Sequence, residues 1–347
     1  MQDFSFSVIH LATTMYKFAI IGCGRIAAKH AENIIARGKL LAVCDIVTEK
    51  ADTFAHRFNT RAYYSIDDLL EGEPELDVVS ICTPNGFHAE HSIKSLQAGK
   101  HVLCEKPLCL TSAAAWQMIE TEKFSRKKLF VVKSTRFNPL LQDLKHLVEK
   151  GLLGQIYSFQ LSCFWNRPAT YYTDWRGKAF PDGGTLYTQF SHYIDALLWL
   201  LGNLKSAKGF AANMAHGSAI EFEDTGTVAV ELEQGILGTI NWSVNTYKKN
   251  CEISLTLIAE KGTVVLGGEY LNELRYQQLE KPYAFTATNL ESNNYGFYKG
   301  SMSNHKEVYV SLLDALNNNT PFISSFDGLR TVEAIEKIYK AVHPAST

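Results

Sequence analysis

The chain has 347 residues, 46% of them hydrophobic, and 34 basic against 36 acidic side chains leave a formal charge of −2. That length fits two domains of ordinary size, and the apolar content excludes a disordered chain. Near-neutral charge gives no electrostatic case for nucleic acid or an anionic membrane surface, and no apolar run is long enough to span a bilayer.

The first 14 residues, MQDFSFSVIHLATT, lack the basic start of a signal peptide and read as a disordered extension before Met15. KFAII is then a buried strand, followed by a glycine turn and a helix that Gly38 stops. LLAVCD, LDVVSICT, HVLCE and LFVVKS are further apolar runs of strand length. Helical segments at about 48–58, 87–98 and 111–126 alternate with them. Strands alternating with helices predict an α/β fold with a parallel, doubly wound sheet.

The pattern changes near 134–138. An amphipathic helix over 139–150 leads to IYSFQLSCFW, whose alternation predicts a strand with one wet face. A polar, aromatic loop runs to Gly183-Gly184, where a helix of about five turns is expected to begin. TVAVELE, ILGTINWSV and CEISLTLIAEKGTVVL predict an open, mostly antiparallel or mixed sheet, and two helices near 305–316 and 327–342 finish the chain. The division expected is a nucleotide-binding domain over 15–135 and a substrate-binding and oligomerisation domain over 136–347. The last helix is free to pack back on the first domain. Too few helices follow the long strands to cover both sheet faces, which predicts an exposed apolar face and a homodimer or homotetramer built on it.

The seven cysteines, at positions 23, 44, 82, 104, 109, 163 and 251, have neither CxxC nor zinc-ligand spacing, so no metal site is expected. Several fall in buried strands, which fits a protein of the reducing cytoplasm.

GCGRIAAKH follows a strand and opens a helix, which is the context a dinucleotide fingerprint requires. Gly22 permits the tight turn. Gly24 lets backbone N–H groups reach a pyrophosphate at the helix N-terminus, where Arg25 and Ile26 follow. Ala27 stands in the third glycine position. Asp45 ends the second strand, where a carboxylate binds both ribose hydroxyls and repels a 2′-phosphate. Ile46, not an arginine, follows it, so NAD is expected over NADP.

CEKPLC poses a separate question. Lys106 stands between Glu105 and Pro107 where a buried strand ends, and a charge there is costly unless it is paired or used. TPNGFHAEHSIKSLQAGKHVLCEKPL (83–108), with the glycine turn, resembles the glucose–fructose oxidoreductase/inositol dehydrogenase (Gfo/Idh/MocA) family over nearly the whole chain. That resemblance implies a Rossmann domain, a C-terminal α/β domain with an open sheet, and oxidation or reduction of sugar and polyol carbons with NAD(P). It implies that Lys106 points between nicotinamide and substrate, after a peptide bond to Pro107 that is often cis in relatives. Glu105, Thr83, Pro84 and Asn85 would line the cofactor. His88 also matches the pattern, and reads as a structural residue at a helix start.

GGTLYTQFSHYID (183–195) places Thr188, His192 and Asp195 at spacings that share one helical face. The family resemblance puts the catalytic histidine at His192. Many relatives carry Asp or Asn where Thr188 stands. Threonine hydrogen-bonds but cannot share a proton, which shifts work to His192 and Lys106. FWNRPATYYTDWRG (164–177) and QFSHYID are similar to the corresponding segments of UDP-N-acetylglucosaminuronate 3-dehydrogenases of bacterial surface-polysaccharide pathways. TRFNP (135–139) and SNHKEVY (303–309) agree. That narrower resemblance implies oxidation of a sugar C3 hydroxyl.

His192 is then the expected general base, because imidazole titrates near working pH, with Lys106 stabilising the developing oxyanion; the two roles are exchangeable. Arg136, Arg167 and Arg176 are candidates for the pyrophosphate and the C6 carboxylate. Asn138, Trp165, Tyr172, Trp175, Thr188, Gln189 and Ser191 complete the expected substrate site. Competing readings are another sugar or inositol dehydrogenase of the family, and an inactive NAD(H)-binding sensor.

Overall fold

The computed structural model describes residues 15–287, 292–294, 299–302 and 304–343; the extension expected at 1–14 lies outside them. Short, mostly apolar segments form β1 (Lys17–Ile21), β2 (Lys39–Cys44), β4 (Val78–Ile81), β5 (His101–Cys104) and β6 (Leu129–Val131), with the three-residue β3 (Arg61–Tyr63) after the second. All pair in parallel, in the order β3-β2-β1-β4-β5-β6. Helices α1 (Ala27–Ile35), α2 (Thr48–Phe58), α3 (Ile66–Gly72), α4 (His88–Gln97) and α5 (Ser112–Ser125) connect them. Helix caps follow the sequence: Ser65 accepts the Asp67 and Asp68 N–H groups before α3, and Thr111 accepts that of Ala114 before α5. The strand order reverses between β1 and β4, so a crevice opens at their C-terminal ends, where doubly wound sheets bind ligands.

Asn138 caps α6 (Pro139–Glu149), and β7 (Ile156–Phe164) begins the second sheet. Next come the short helical turn α7 (Ala179–Asp182) and α8 (Ser191–Leu201). Strands β8 (Leu204–Ala212), β9 (Thr225–Leu232), β10 (Leu237–Ser243), β11 (Glu252–Ala259), β12 (Gly262–Gly267) and β13 (Glu273–Leu279) complete it, in the order β13-β12-β11-β7-β10-β9-β8. Only β7 and β10 pair in parallel, because the excursion through α7 and α8 separates them. A two-stranded pair, β14 (Ser292–Asn294) and β15 (Lys299–Met302), precedes α9 (His305–Asn318) and α10 (Ser325–Val342). The last helix lies against both halves, touching α5 and β6 on one side and α8 and β8 on the other.

One face of the second sheet carries Phe159, Leu161, Cys163, Ile240, Trp242, Leu255 and Leu257 into the core with α8. The opposite face corrects the expectation of an apolar surface. Cross-strand register sets Thr227, Asn241, Ser162 and Ser254 in one row and Ala229, Thr239, Gln160 and Thr256 in the next. Within them Thr227 donates its hydroxyl to Asn241 Oδ1 at 2.6 Å. Phe210, Leu237, Ile258 and Tyr276 are exposed large apolar side chains on these strands. The face is therefore mixed, with a polar centre.

Candidate active site

A cleft of about 540 Å³ runs from the glycine turn to α8. At its nucleotide end the Gly22 backbone has φ +94°, and a Cβ there would lie 2.7 Å from the Cys82 and Thr83 backbone. Gly24 differs: no protein atom lies within 4 Å of where its Cβ would stand, so the space beside it is open for a phosphate group. Asp45 lines the cleft, fixed by N–H groups of Cys23 (2.8 Å) and Val47 (2.9 Å) on its two oxygens. Arg25 and Ile26 line this end too, with Lys50, an exposed lysine the sequence gave no reason to single out. Open space at the helix entry and a fixed carboxylate at the strand end fit an NAD pyrophosphate and ribose.

In the middle of the cleft, β4 and β5 deliver Thr83, Pro84, Asn85, Glu105 and Lys106. The Lys106–Pro107 peptide is cis. His88 is 1% exposed, and its ring bridges the carbonyls of Pro107 (2.7 Å) and Thr83 (2.9 Å), tying the two cofactor-side segments together. Glu105 explains half of the puzzle in CEKPLC. Burial alone would raise its pKa, but hydrogen bonds from His30 (2.9 Å) and His305 (3.2 Å) hold it well below the usual carboxylate range. Burial keeps His30 neutral, so its Nε2–H donates to Glu105, and Nδ1 accepts from the Tyr309 hydroxyl at 2.8 Å. Histidine and carboxylate donor atoms of His30, Glu105 and His305 lie within 4.8 Å of one another, and these hydrogen bonds account for that proximity.

Lys106 sends its ammonium to the carbonyl oxygen of Thr188 at 2.9 Å. Burial, offset in part by Glu105, lowers its pKa to about 8. His192 faces the same cleft and is 6% exposed. Burial, then the charge on Lys106, pushes its proton affinity well below that of free imidazole. Its Nδ1 is buried without a hydrogen-bond partner among the described residues. The expected helix from Gly183 is broken: a π-helical turn spans Leu186–Phe190 before α8 begins at Ser191. Such wide turns recur at functional sites, and here the Thr188 carbonyl takes the lysine.

Thr188, His192 and Asp195, whose spacing shares one helical face, make no side-chain hydrogen bond to one another among the described residues. Thr188 donates its hydroxyl to Asp182. Asp195 accepts both Arg136 Nε and Nη2 at 2.8 Å, with Lys133 at 3.1 Å and Thr331 at 3.0 Å.

The substrate end is walled by the loop after β7. Arg167, 2% exposed, lies 4.7 Å from the Trp165 ring and 5.3 Å from that of Tyr171. It donates to Gln189 Oε1 (2.8 Å) and Asn250 Oδ1 (3.1 Å). Arg176 stacks 4.6 Å over Trp175 and 5.3 Å over Tyr171, and its Nε has no hydrogen-bond partner among the described residues. Tyr171 stands between the two arginines.

Four expected substrate contacts are corrected. Arg136 is committed to Asp195 and Asp327 and does not line the cleft. Asn138 caps α6 and donates to the Leu271 carbonyl. Tyr172 packs on Tyr171, His216 and Phe222 behind the wall. Ser191 is fully buried outside the cleft lining. A sequence cannot tell an arginine that meets substrate from one that meets a carboxylate 59 residues away.

Two family models match, an oxidoreductase family with an NAD-binding Rossmann fold over residues 16–133 and the GFO/IDH/MocA C-terminal domain over 141–265. The chain belongs to the Gfo/Idh/MocA family. It is 33% identical to the WlbA dehydrogenase of Chromobacterium violaceum, solved with NADH and UDP-GlcNAcA, with a TM-score of 0.86 over 95% of this chain and 94% of that one. The Bordetella pertussis WlbA dehydrogenase, solved with the same two molecules, is 31% identical with a TM-score of 0.86, covering 95% and 97% of the two chains. D-glucoside 3-dehydrogenase of Escherichia coli is 30% identical over 239 residues, 67% of this chain and 68% of that protein. The chain is thus an NAD-dependent sugar or inositol dehydrogenase, acting on a CH–OH group. No helix among the described residues is long and apolar enough to cross a membrane.

Proposed function

We propose that this dehydrogenase oxidises the C3 hydroxyl of UDP-N-acetylglucosaminuronate to the 3-keto sugar, in cytoplasmic synthesis of surface-polysaccharide precursors. The observation that carries this reading is the pair of aromatic-stacked arginines, Arg167 and Arg176, walling the substrate end. A neutral free sugar offers two guanidinium groups no countercharge. A nucleotide uronate offers a carboxylate and a pyrophosphate. Arg167 lies within electrostatic reach of Lys106 and is assigned the C6 carboxylate; Arg176 is assigned the pyrophosphate. The two WlbA structures support this substrate, while the D-glucoside relative favours a simpler sugar.

NAD, bound through Gly22, Gly24 and Asp45, supplies the hydride acceptor. Removing the hydroxyl proton falls to this chain. Of the two exchangeable roles we assign the base to Lys106, which at about 8 is neutral in part at physiological pH, while burial and the charge on Lys106 lower the proton affinity of His192. The positive charge of NAD, held by this cleft, would lower the Lys106 value further and favour its free amine. His192 then orients the hydroxyl by hydrogen bonding. Gln189, held by Arg167 and by Tyr171 at 2.9 Å, and Trp165 fix the sugar ring. A homodimer or homotetramer joined through the uncovered sheet face is part of the proposal, and a monomeric mass at micromolar concentration would remove it.

The test is a panel of UDP-sugars, free hexoses and inositols with NAD. Product mass should fall by two hydrogens for UDP-N-acetylglucosaminuronate in a single turnover, which detects chemistry even if NADH stays bound. Turnover of inositol or glucose without UDP-sugar activity would overturn the substrate and leave the family activity.

A further inference from the structure

The carbonyl that holds Lys106 belongs to Thr188, and what holds Thr188 lies outside the cleft lining. Asp182 ends the short turn α7, is 1% exposed, and has no place in the wall. Its Oδ1 accepts the Thr188 hydroxyl, and its Oδ2 accepts the Gly177 N–H at 2.8 Å. Its main-chain carbonyl accepts Asn85 Nδ2 at 2.7 Å, and the same amide nitrogen donates to Thr188 Oγ1 at 2.7 Å. A main-chain carbonyl only accepts, so the Asn85 amide is fixed with its NH₂ turned to Asp182 and Thr188. The Thr188 hydroxyl has one proton, and Asp182 takes it. Thr188 therefore has none left to offer a substrate, and its function is to hold its neighbours.

We propose that Asp182 is a positioning residue for Lys106: its carboxylate anchors Thr188, which presents a carbonyl to the lysine ammonium and locks Asn85 of the cofactor side to the substrate side. This rests on the reading of Lys106 as the proton acceptor. A carboxylate placed here acts in two ways. It fixes the π-helical turn, and so where the ammonium sits. It also adds negative potential near the lysine, which Lys133 and Arg167 oppose and Glu105 reinforces. The groups facing Asp182 itself are Arg176, Thr188, the Gly177 and Gly184 N–H groups, Glu223 and Tyr172. Burial raises the Asp182 pKa to about 6, so the charge is in place across the range in which Lys106 titrates.

The experiment measures kcat/KM against pH with whichever sugar the wild type turns over, for Asp182→Asn, Thr188→Val, Thr188→Ser and the Asp182→Asn/Thr188→Val double variant. NAD affinity and melting temperature are read beside it. The wild-type oxidation rate should rise with pH through about 8 as Lys106 loses its proton. Removing the Asp182 charge lowers the lysine's proton affinity, so that limb should move to lower pH. Misplacing the ammonium should cost about 10–100-fold in kcat. Thr188→Val should cost as much, the double variant no more than either single one, and Thr188→Ser, which keeps the hydroxyl, should restore most of the rate. A wild-type limb that stays fixed in Asp182→Asn, with losses that multiply in the double variant, overturns the positioning role alone. A wild-type profile without a limb near pH 8 overturns the Lys106 reading and this one with it. If Asp182→Asn fails to fold, the Val/Ser pair at position 188 decides: equal activity of the two overturns the proposal.

Discussion

The two ends of the cleft are built by opposite strategies. At the nucleotide end the backbone does the binding: a glycine turn, a helix entry and strand-end residues whose geometry the parallel sheet dictates. At the substrate end side chains bind, carried on a loop and a π-helical turn, and each is set by residues distant in sequence. Arg167 depends on Gln189 and Asn250, and Lys106 depends on Thr188 and, through it, on Asp182. Backbone sites tolerate change around them, whereas side-chain sites fail when one partner is lost.

The largest effects should come from the residues where the two ends meet. Lys106→Met should lower turnover by about 10²–10⁴-fold and His192→Asn, through lost orientation, by about 10²-fold, with NAD affinity nearly unchanged. Wild-type-like turnover in either variant removes that residue from the chemistry. A lowered melting temperature as the sole defect of His192→Asn would make it structural.

At the substrate end, Arg167→Met should cut the efficiency with UDP-N-acetylglucosaminuronate by about 10–150-fold while sparing the neutral UDP-N-acetylglucosamine. Arg176→Met should penalise both sugars equally, as loss of a pyrophosphate contact would. Reversed patterns would swap the two assignments.

At the nucleotide end, Asp45→Ala should weaken NAD binding by about 10-fold or more and relax selection against NADP, from loss of hydrogen bonds to a charged acceptor. Wild type that binds the two cofactors equally would refute the ribose assignment.

The smallest effect on chemistry should come from Asp195, and there the comparison sharpens. Asp195→Asn leaves Lys133 buried with a neutral partner and Arg136 with Asp327 as its remaining carboxylate, which should destabilise the fold by about 3–5 kcal/mol. The pH profile of surviving enzyme should keep its shape. A moved profile would give Asp195 a part in the proton chemistry.

This contrast also decides what was legible in the sequence. Five of the six parallel strands, the glycine turn and Asp45 were readable, because local patterns determine them. The second sheet was readable in its central strands. Its edge strands β8 and β13 were not, since Lys205, Ser206 and Lys208 or Arg275 and Gln277 face water and erase the alternation. Lys106 and His192 were located through flanking motifs that fix their identity. Arg136 was misassigned because nothing local reports Asp195 and Asp327 waiting to pair with it. Asp182 was overlooked because its chemistry exists only after the π-helical turn brings Thr188 over it. The covering of the second sheet was misjudged for a related reason: strand periodicity shows that one face is wet, whereas cross-strand register shows it carries rows of threonine, serine and asparagine.

The central claim is that this cleft selects a nucleotide uronate, and single-turnover oxidation of UDP-N-acetylglucosaminuronate and UDP-N-acetylglucosamine by the wild-type enzyme with NAD tests it most directly. Loss of a charge-assisted contact to the C6 carboxylate should make the neutral sugar roughly 10–150-fold poorer in efficiency. Equal turnover of the acid and the neutral sugar would contradict the uronate assignment.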